Sequence, residues 1–132
     1  MKITLPHLLV RPGDLPETVL LPGDPARAAR IAERLDGAER LAANREYHSF
    51  RGWYRGQMLG VTSAGVGAAG AAIAYEEAIR AGARTLLRVG TAGSLSDSVL
   101  PGDLVVVVAA ARGDGASRLL VPIEMPAVAD PD

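Results

Sequence analysis

Apolar residues in this chain fall into short runs separated by glycine and proline. Thr18-Val19-Leu20-Leu21 is one such run, closed by Pro22-Gly23, and predicts a buried strand. Asp24-Pro25 follows as a helix start, an acceptor side chain ahead of a proline at the first helical position. The helical spacing of Ala28, Ile31, Ala32 and Leu35 predicts one buried face between Ala26 and Leu35, with Gly37 as the stop. Leu41 to Ser63 predicts strands joined by a turn, with Met58 to Thr62 the clearest. Gly65 to Gly67 form a turn, and Ala68 to Ala81 predict a second helix, closed by Gly82. The Ala and Gly lining of that helix requires a close neighbour. Thr85 to Gly90 predicts another strand, and Asp103 to Ala110 a longer one, apolar throughout Leu104-Val105-Val106-Val107-Val108. Continuous apolar strands alternating with helices imply an α/β fold with a sheet covered on both faces. Pro-Gly-Asp recurs at Pro12, Pro22 and Pro101, but it is common turn chemistry and only the second copy opens a helix. The proline- and acid-rich stretch from Val121 to Asp132 reads as a connection leading onward, with the sheet still incomplete.

Composition narrows the function classes. A chain of 132 residues supports one domain with one core, and its net charge of -1 lacks the basic field that nucleic acid or a membrane surface demands. Lys2 is the only lysine, so positive charge is almost wholly arginine, the planar bidentate anion binder; genomic bias gives the same pattern. The absence of cysteine excludes disulfides, zinc ribbons and thiol nucleophiles. The start, Met1-Lys2-Ile3-Thr4-Leu5-Pro6-His7, has no leader-like apolar core, and no run approaches the ~20 residues of a membrane helix. A cytoplasmic protein with no nucleic-acid or membrane partner is expected.

Three places could carry chemistry. In Leu21-Pro22-Gly23-Asp24-Pro25-Ala26-Arg27 a glycine precedes a helix N-terminus, where unpaired N–H groups and the macrodipole favour an oxyanion. Arg27, in the first turn, is unfavourably placed unless an anion is present; a well-capped surface helix is the plainer alternative. In Arg88-Val89-Gly90-Thr91-Ala92-Gly93 an arginine inside an apolar strand must be paired with a buried acid or bound to an anion. The glycines at that strand end, where ligands sit in open α/β sheets, favour the anion. Gly65-Val66-Gly67-Ala68-Ala69-Gly70 fits the dinucleotide fingerprint GxGxxG, but the next strand ends without the expected acid. Arg88 could instead serve a 2′-phosphate, so NADP binding stays open. Arg45 beside Glu46 reads as a surface pair, and the residues alone assign His7 and His48 no role. Neither a nucleophile elbow nor a metal-ligand spacing is present.

Taken in order, several segments resemble the nucleoside phosphorylases that act on uridine and on purine nucleosides. They are Pro6-His7, the Leu-Pro-Gly-Asp-Pro loop ending in Arg27, Arg45-Glu46-Tyr47, Ser63 to Gly67, Arg88 to Gly93 and Pro101 to Leu104. The stretch from Arg112 to Arg118, then Val121-Pro122 and Pro126 to Asp130, resembles uridine phosphorylases more than the bacterial purine enzymes. The resemblance implies a three-layer fold, a mixed central sheet flanked by helices, with residues 1–132 the N-terminal portion of a single domain truncated on its C-terminal side. It implies phosphorolysis of a nucleoside, uridine favoured, to free base and ribose 1-phosphate, with inorganic phosphate as co-substrate and no organic cofactor. Purine nucleoside phosphorolysis and a catalytically incomplete phosphate-binding fragment are the alternatives. Gly23, Arg27, Arg45, Arg88, Gly90 and Thr91 would bind phosphate, and His7, Thr91, Ala92 and Gly93 the nucleoside. Arg45 and His7 would reach across a subunit interface, which implies a homo-oligomer, dimer or hexamer. Glu46 matches a monovalent-cation site, although Gly70 stands where a serine is expected. The base-reading and catalytic residues would lie beyond Asp132.

Overall fold

The computed structural model describes residues 4–131; Met1 to Ile3, and Asp132 at the end of the acidic tail and of the expected domain span, lie outside the described residues. The described chain divides into two units, one ending at Gly90 and one beginning at Thr91.

The first unit is built on a five-stranded mixed sheet. Its strands are β1 (Thr18–Pro22), β2 (Asp36–Asn44), β3 (Tyr47–Tyr54), β4 (Gln57–Thr62) and β5 (Thr85–Val89), in the order β2-β3-β4-β1-β5. The β2, β3 and β4 strands form an antiparallel meander, while β1 runs parallel to both β4 and β5. Helix α1 (Pro25–Ala32) returns the chain from β1, and α2 (Ala68–Arg80) crosses from β4 over β1 to β5. Side chains on β1 alternate between two cores, as strand geometry demands. Val19 and Leu21 pack with Ala74 and Ala78 of α2 and with Leu5, Leu8 and Val10 of the N-terminal segment. Leu20 faces the opposite core, with Ala28 and Ile31 of α1, Leu35 and Val61. Helices on both faces of one mixed sheet make the three layers that the resemblance implied.

The small residues of α2 serve the expected purpose. Ala74, Ala78 and Ala81 are fully buried, and Gly82 follows the helix at φ 125°, as a C′ residue should. A Cβ on Gly82 would stand 2.6 Å from the Leu15 carbonyl oxygen.

Helix α1 is shorter than the apolar spacing suggested. It ends at Ala32, and Gly37 lies inside β2 at φ 60° rather than stopping a helix. Leu35 still reaches the core, because the turn after Ala32 returns it to the face that Ala28 and Ala32 cover.

In the second unit the expected strand from Asp103 to Ala110 is not formed. Only Ala109–Ala110 (β6) pairs, antiparallel to Ala127–Val128 (β7), while Leu104 to Val108 are exposed. An apolar strand holds its shape through ladder partners and covered faces, and residues 91–131 supply neither to this run. The segment from Arg112 to Ser117 organises the unit instead. Asp114 caps α3 (Gly115–Leu120) by accepting the Ser117 N–H at 2.7 Å and its hydroxyl at 2.6 Å. The Arg112 guanidinium donates to the carbonyls of Val121 and Met125, each at 2.8 Å, and to that of Pro122. Among the described residues no helix is long and apolar enough to cross a membrane.

Substituting Gly82→Ala should cost about 1–3 kcal/mol, since the backbone is left-handed there and the new methyl would strike the Leu15 carbonyl. Urea unfolding reads this as a lowered midpoint with unchanged slope.

Candidate functional site

The parallel strands β1, β4 and β5 end on the same side of the sheet, and a cleft of about 600 Å³ opens there. Gly23, Asp24 and Pro25 line it from the β1–α1 loop, Gly65, Val66 and Gly67 from the β4–α2 loop, and Arg88 from β5; Glu46 comes from the β2–β3 turn. Ligands of open α/β sheets occupy this edge.

Backbone bonds hold the two loops side by side beyond the end of the β1–β4 ladder. Ala64 N–H donates to the Pro22 carbonyl at 2.8 Å and Gly65 N–H to that of Gly23 at 3.0 Å. Such an approach leaves side chains little room. A Cβ on Gly23 would lie 3.1 Å from the Gly65 carbonyl oxygen, and one on Gly65 would lie 2.7 Å from Glu46 Cγ. Within the GxGxxG spacing, Gly65 therefore already has a steric task and Gly67 a conformational one, at φ 89°.

Arg88 is not buried, and no acid pairs with it among the described residues. It is exposed on β5, the last strand of the sheet, so the expectation of a guanidinium sealed in an apolar strand is corrected. Its Nη1 donates to the carbonyls of Leu21 at 3.1 Å and Val89 at 2.7 Å, which fixes the head group at the cleft. The remaining N–H groups carry no partner among the described residues and are available to an oxyanion. A Cβ on Gly90 would stand 2.9 Å from Nη1, so that glycine lets the guanidinium fold back over the strand end.

Two helix N-termini border the cleft, and they differ in how far their donors are satisfied. At α1, Pro25 has no N–H, the Ala26 N–H donates to Asp24 Oδ1 at 2.9 Å, and the Ala28 N–H donates to the Asp24 carbonyl. That terminus is largely satisfied by its own cap. Gly67 caps α2 with no side-chain hydrogen bond, so the first turn of α2 keeps its donors free at the cleft. In the sequence, a glycine with no capping side chain at position 67 is the signal of this second terminus.

The other expected site residues are spread out. Arg27 is half-buried in the first turn of α1 and does not line the cleft. Arg45 is exposed in the β2–β3 turn at φ 52° and forms no ion pair with Glu46 among the described residues, so the surface-pair reading fails. Thr91, Ala92 and Gly93 open the second unit and are exposed within it.

His7 has a partner that sequence reasoning missed. Glu77, buried on α2, accepts the Leu8 N–H at 2.8 Å, the His7 N–H at 3.1 Å and the His7 ring Nδ1 at 2.6 Å. Its position four residues from Ala81 and three from Ala74, on the small-residue face, marked it as inward. Burial works against its charge, but the Leu8 N–H, the His7 ring and the His7 N–H overcome it, holding the carboxyl below its ordinary value. Nearby, burial and then the Glu46 and Glu77 carboxylates push the Tyr47 phenol up, so it remains a neutral donor to the Gly70 carbonyl at 3.1 Å.

Residues 17–132 match the model of the Phosphorylase superfamily, and the chain belongs to that family. It is 46% identical over 127 residues to a guanosine phosphorylase of Halorubrum lacusprofundi, covering 96% of this chain and 53% of that protein. It is 44% identical over 124 residues to a uridine phosphorylase of Thermococcus kodakarensis, covering 94% and 45%. The structure of a purine nucleoside phosphorylase of Toxoplasma gondii in complex with immucillin-H matches with TM-score 0.93 and 39% identity, over 99% of this chain and 53% of that one. The chain thus spans about half the length of the curated relatives it matches.

Because the folded-state value of Glu77 is lowered, its stabilisation is complete above the unfolded value of 4.5 and is lost as pH falls through the folded value. Urea midpoints of the wild type and Glu77→Gln, measured from pH 7 downward, should therefore converge only below about 4.5. A gap independent of pH would show that the charge contributes nothing.

Proposed function

We propose that the cleft beneath Arg88 holds orthophosphate as the attacking substrate of nucleoside phosphorolysis. The observation that carries this is Arg88, held by backbone carbonyls with no acid partner among the described residues, beside the uncapped α2 terminus. Two glycine loops bring the backbone against the same space. One phosphate oxygen forms a bond to the anomeric carbon as the glycosidic C–N bond breaks. The electron pair leaves with the base, which takes up a proton, and the sugar departs as ribose 1-phosphate. Positioning the dianion and opposing its charge supply the protein's share, so no protein nucleophile is required. The exposed carboxylates of Asp24 and Glu46 also border the cleft, and Arg88 must outweigh their repulsion.

Gly23, Arg88, Gly90 and Thr91 form our phosphate set, with Arg27 added from the turn of α1 that follows the lining residues Asp24 and Pro25, and His7, Thr91, Ala92 and Gly93 form our nucleoside set. Arg45 lies outside its own copy's cleft, which favours service to a second copy and a homo-oligomeric protein. We read residues 1–132 as part of one domain whose base-reading groups belong to the remaining length seen in relatives. Uridine is our favoured substrate, on the uridine phosphorylase relatives and the Arg112 to Asp130 segment; the guanosine phosphorylase relative supports a purine as the second reading. Glu46 and the Val66 backbone are the donors that match a monovalent-cation site, Gly70 lacks the serine side chain expected there, and no step uses a cation. The cytoplasm is the compartment this chemistry suits.

Arg88→Ala should weaken phosphate binding by about 1.5–3 kcal/mol, the worth of a charge-assisted contact, as read by titration calorimetry. Unchanged affinity would remove Arg88 from the site. With the remaining length seen in relatives supplied, release of uracil from uridine, or guanine from guanosine, should require phosphate; release without it would make the chemistry hydrolytic.

A further inference from the structure

His7 is held more firmly than a half-exposed residue near a chain terminus needs to be. Its N–H is accepted by Glu77, and its carbonyl accepts from Asn44 Nδ2 at 2.8 Å. Its ring lies edge-on to Tyr47, with centroids 6.5 Å apart and planes at 81°. The following residue, Leu8, is fully buried and also donates to Glu77. One buried carboxylate thus gathers two backbone N–H groups and a ring nitrogen, and backbone and ring are fixed together.

That arrangement has a chemical consequence. A carboxylate is an acceptor only, so the ring nitrogen at 2.6 Å from Glu77 Oε1 must carry a proton. In the neutral imidazole this places the proton on Nδ1 and leaves Nε2 as a lone-pair acceptor. Nε2 has no partner among the described residues, and the side chain is 42% exposed. We propose that Glu77 is a positioning residue that locks His7 in the Nδ1–H tautomer, so that its free edge accepts a hydrogen bond from a hydroxyl of the nucleoside. A neutral acceptor repels a phosphate oxygen and attracts an O–H, which agrees with the place already given to His7 in the nucleoside set. This rests on the phosphorolysis reading above for the identity of the ligand, while the tautomer stands on the geometry alone.

Long-range nitrogen–proton NMR of the imidazole, recorded above the end of the ring's titration, reads the tautomer directly. The expected spectrum has Nδ1 in the protonated, pyrrole-like range and Nε2 in the unprotonated range. A proton on Nε2, or an averaged pair of signals, overturns the proposal. Glu77→Ala, with its fold checked by the amide spectrum, should restore the averaging of a free imidazole; if that variant does not fold, the wild-type spectrum decides alone. Added inorganic phosphate should shift the Arg88 side-chain signals and leave the His7 ring signals in place. Phosphate shifting the His7 ring would overturn its placement in the nucleoside set. Phosphate shifting neither would sink the phosphate cleft, and with it the nucleoside as His7's ligand, while leaving the tautomer result intact.

Discussion

The hydrogen bond from Gly65 N–H to the Gly23 carbonyl is the constraint on which the cleft depends. It continues the β1–β4 pairing past the strands and holds two strand-to-helix turns together. A Cβ on the inner side of either turn would force a shift, because Gly23 faces the Gly65 carbonyl and Gly65, at φ 70°, faces the Glu46 side chain. The central position of β1 sets the rest. It carries α1's loop, lies between β4 and β5, and supplies the Leu21 carbonyl that anchors Arg88. Fold and site therefore share one element, whose alternating side chains also join the two cores.

The electrostatics divide into two compartments of opposite design. In the cleft a guanidinium is tethered by neutral carbonyls, which fix its position without consuming its charge, and a capless helix end adds partial positive charge. On the far side of α2 the buried Glu77 carboxylate is consumed entirely by donors from the N-terminal segment. An exposed cation left free is suited to an incoming anion, whereas a buried anion satisfied by three groups is suited to holding a segment in place. The same helix offers its N-terminus to the first task and its small-residue face to the second.

Local rules made much of this legible in sequence. Asp24-Pro25 marked the start of α1, Gly82 the end of α2, and the apolar runs β1, β4 and β5, since each signal acts within a few residues. Arg88 among strand-end glycines pointed to the cleft for the same reason. What escaped depends on groups distant in sequence. Gly37 lies within β2 because its neighbours Asp36 and Glu39 pair with β3 and the strand is irregular between them, a fact that no window around residue 37 contains. Leu104 to Val108 have strand composition without strand partners, and composition alone does not supply a ladder. Glu77 has its meaning from His7, 70 residues away, so periodicity could mark it as inward without naming what it holds.

Phosphate titration of the isotope-labelled chain, followed by backbone amide NMR at constant ionic strength, tests the cleft most directly. Saturable shifts at Gly23, Gly65, Gly67 and Ala68, together with the Arg88 side chain and absent with chloride, are the predicted result. Shifts confined to arginines outside the cleft, such as Arg84 and Arg118, or no saturable shift at all, would contradict it.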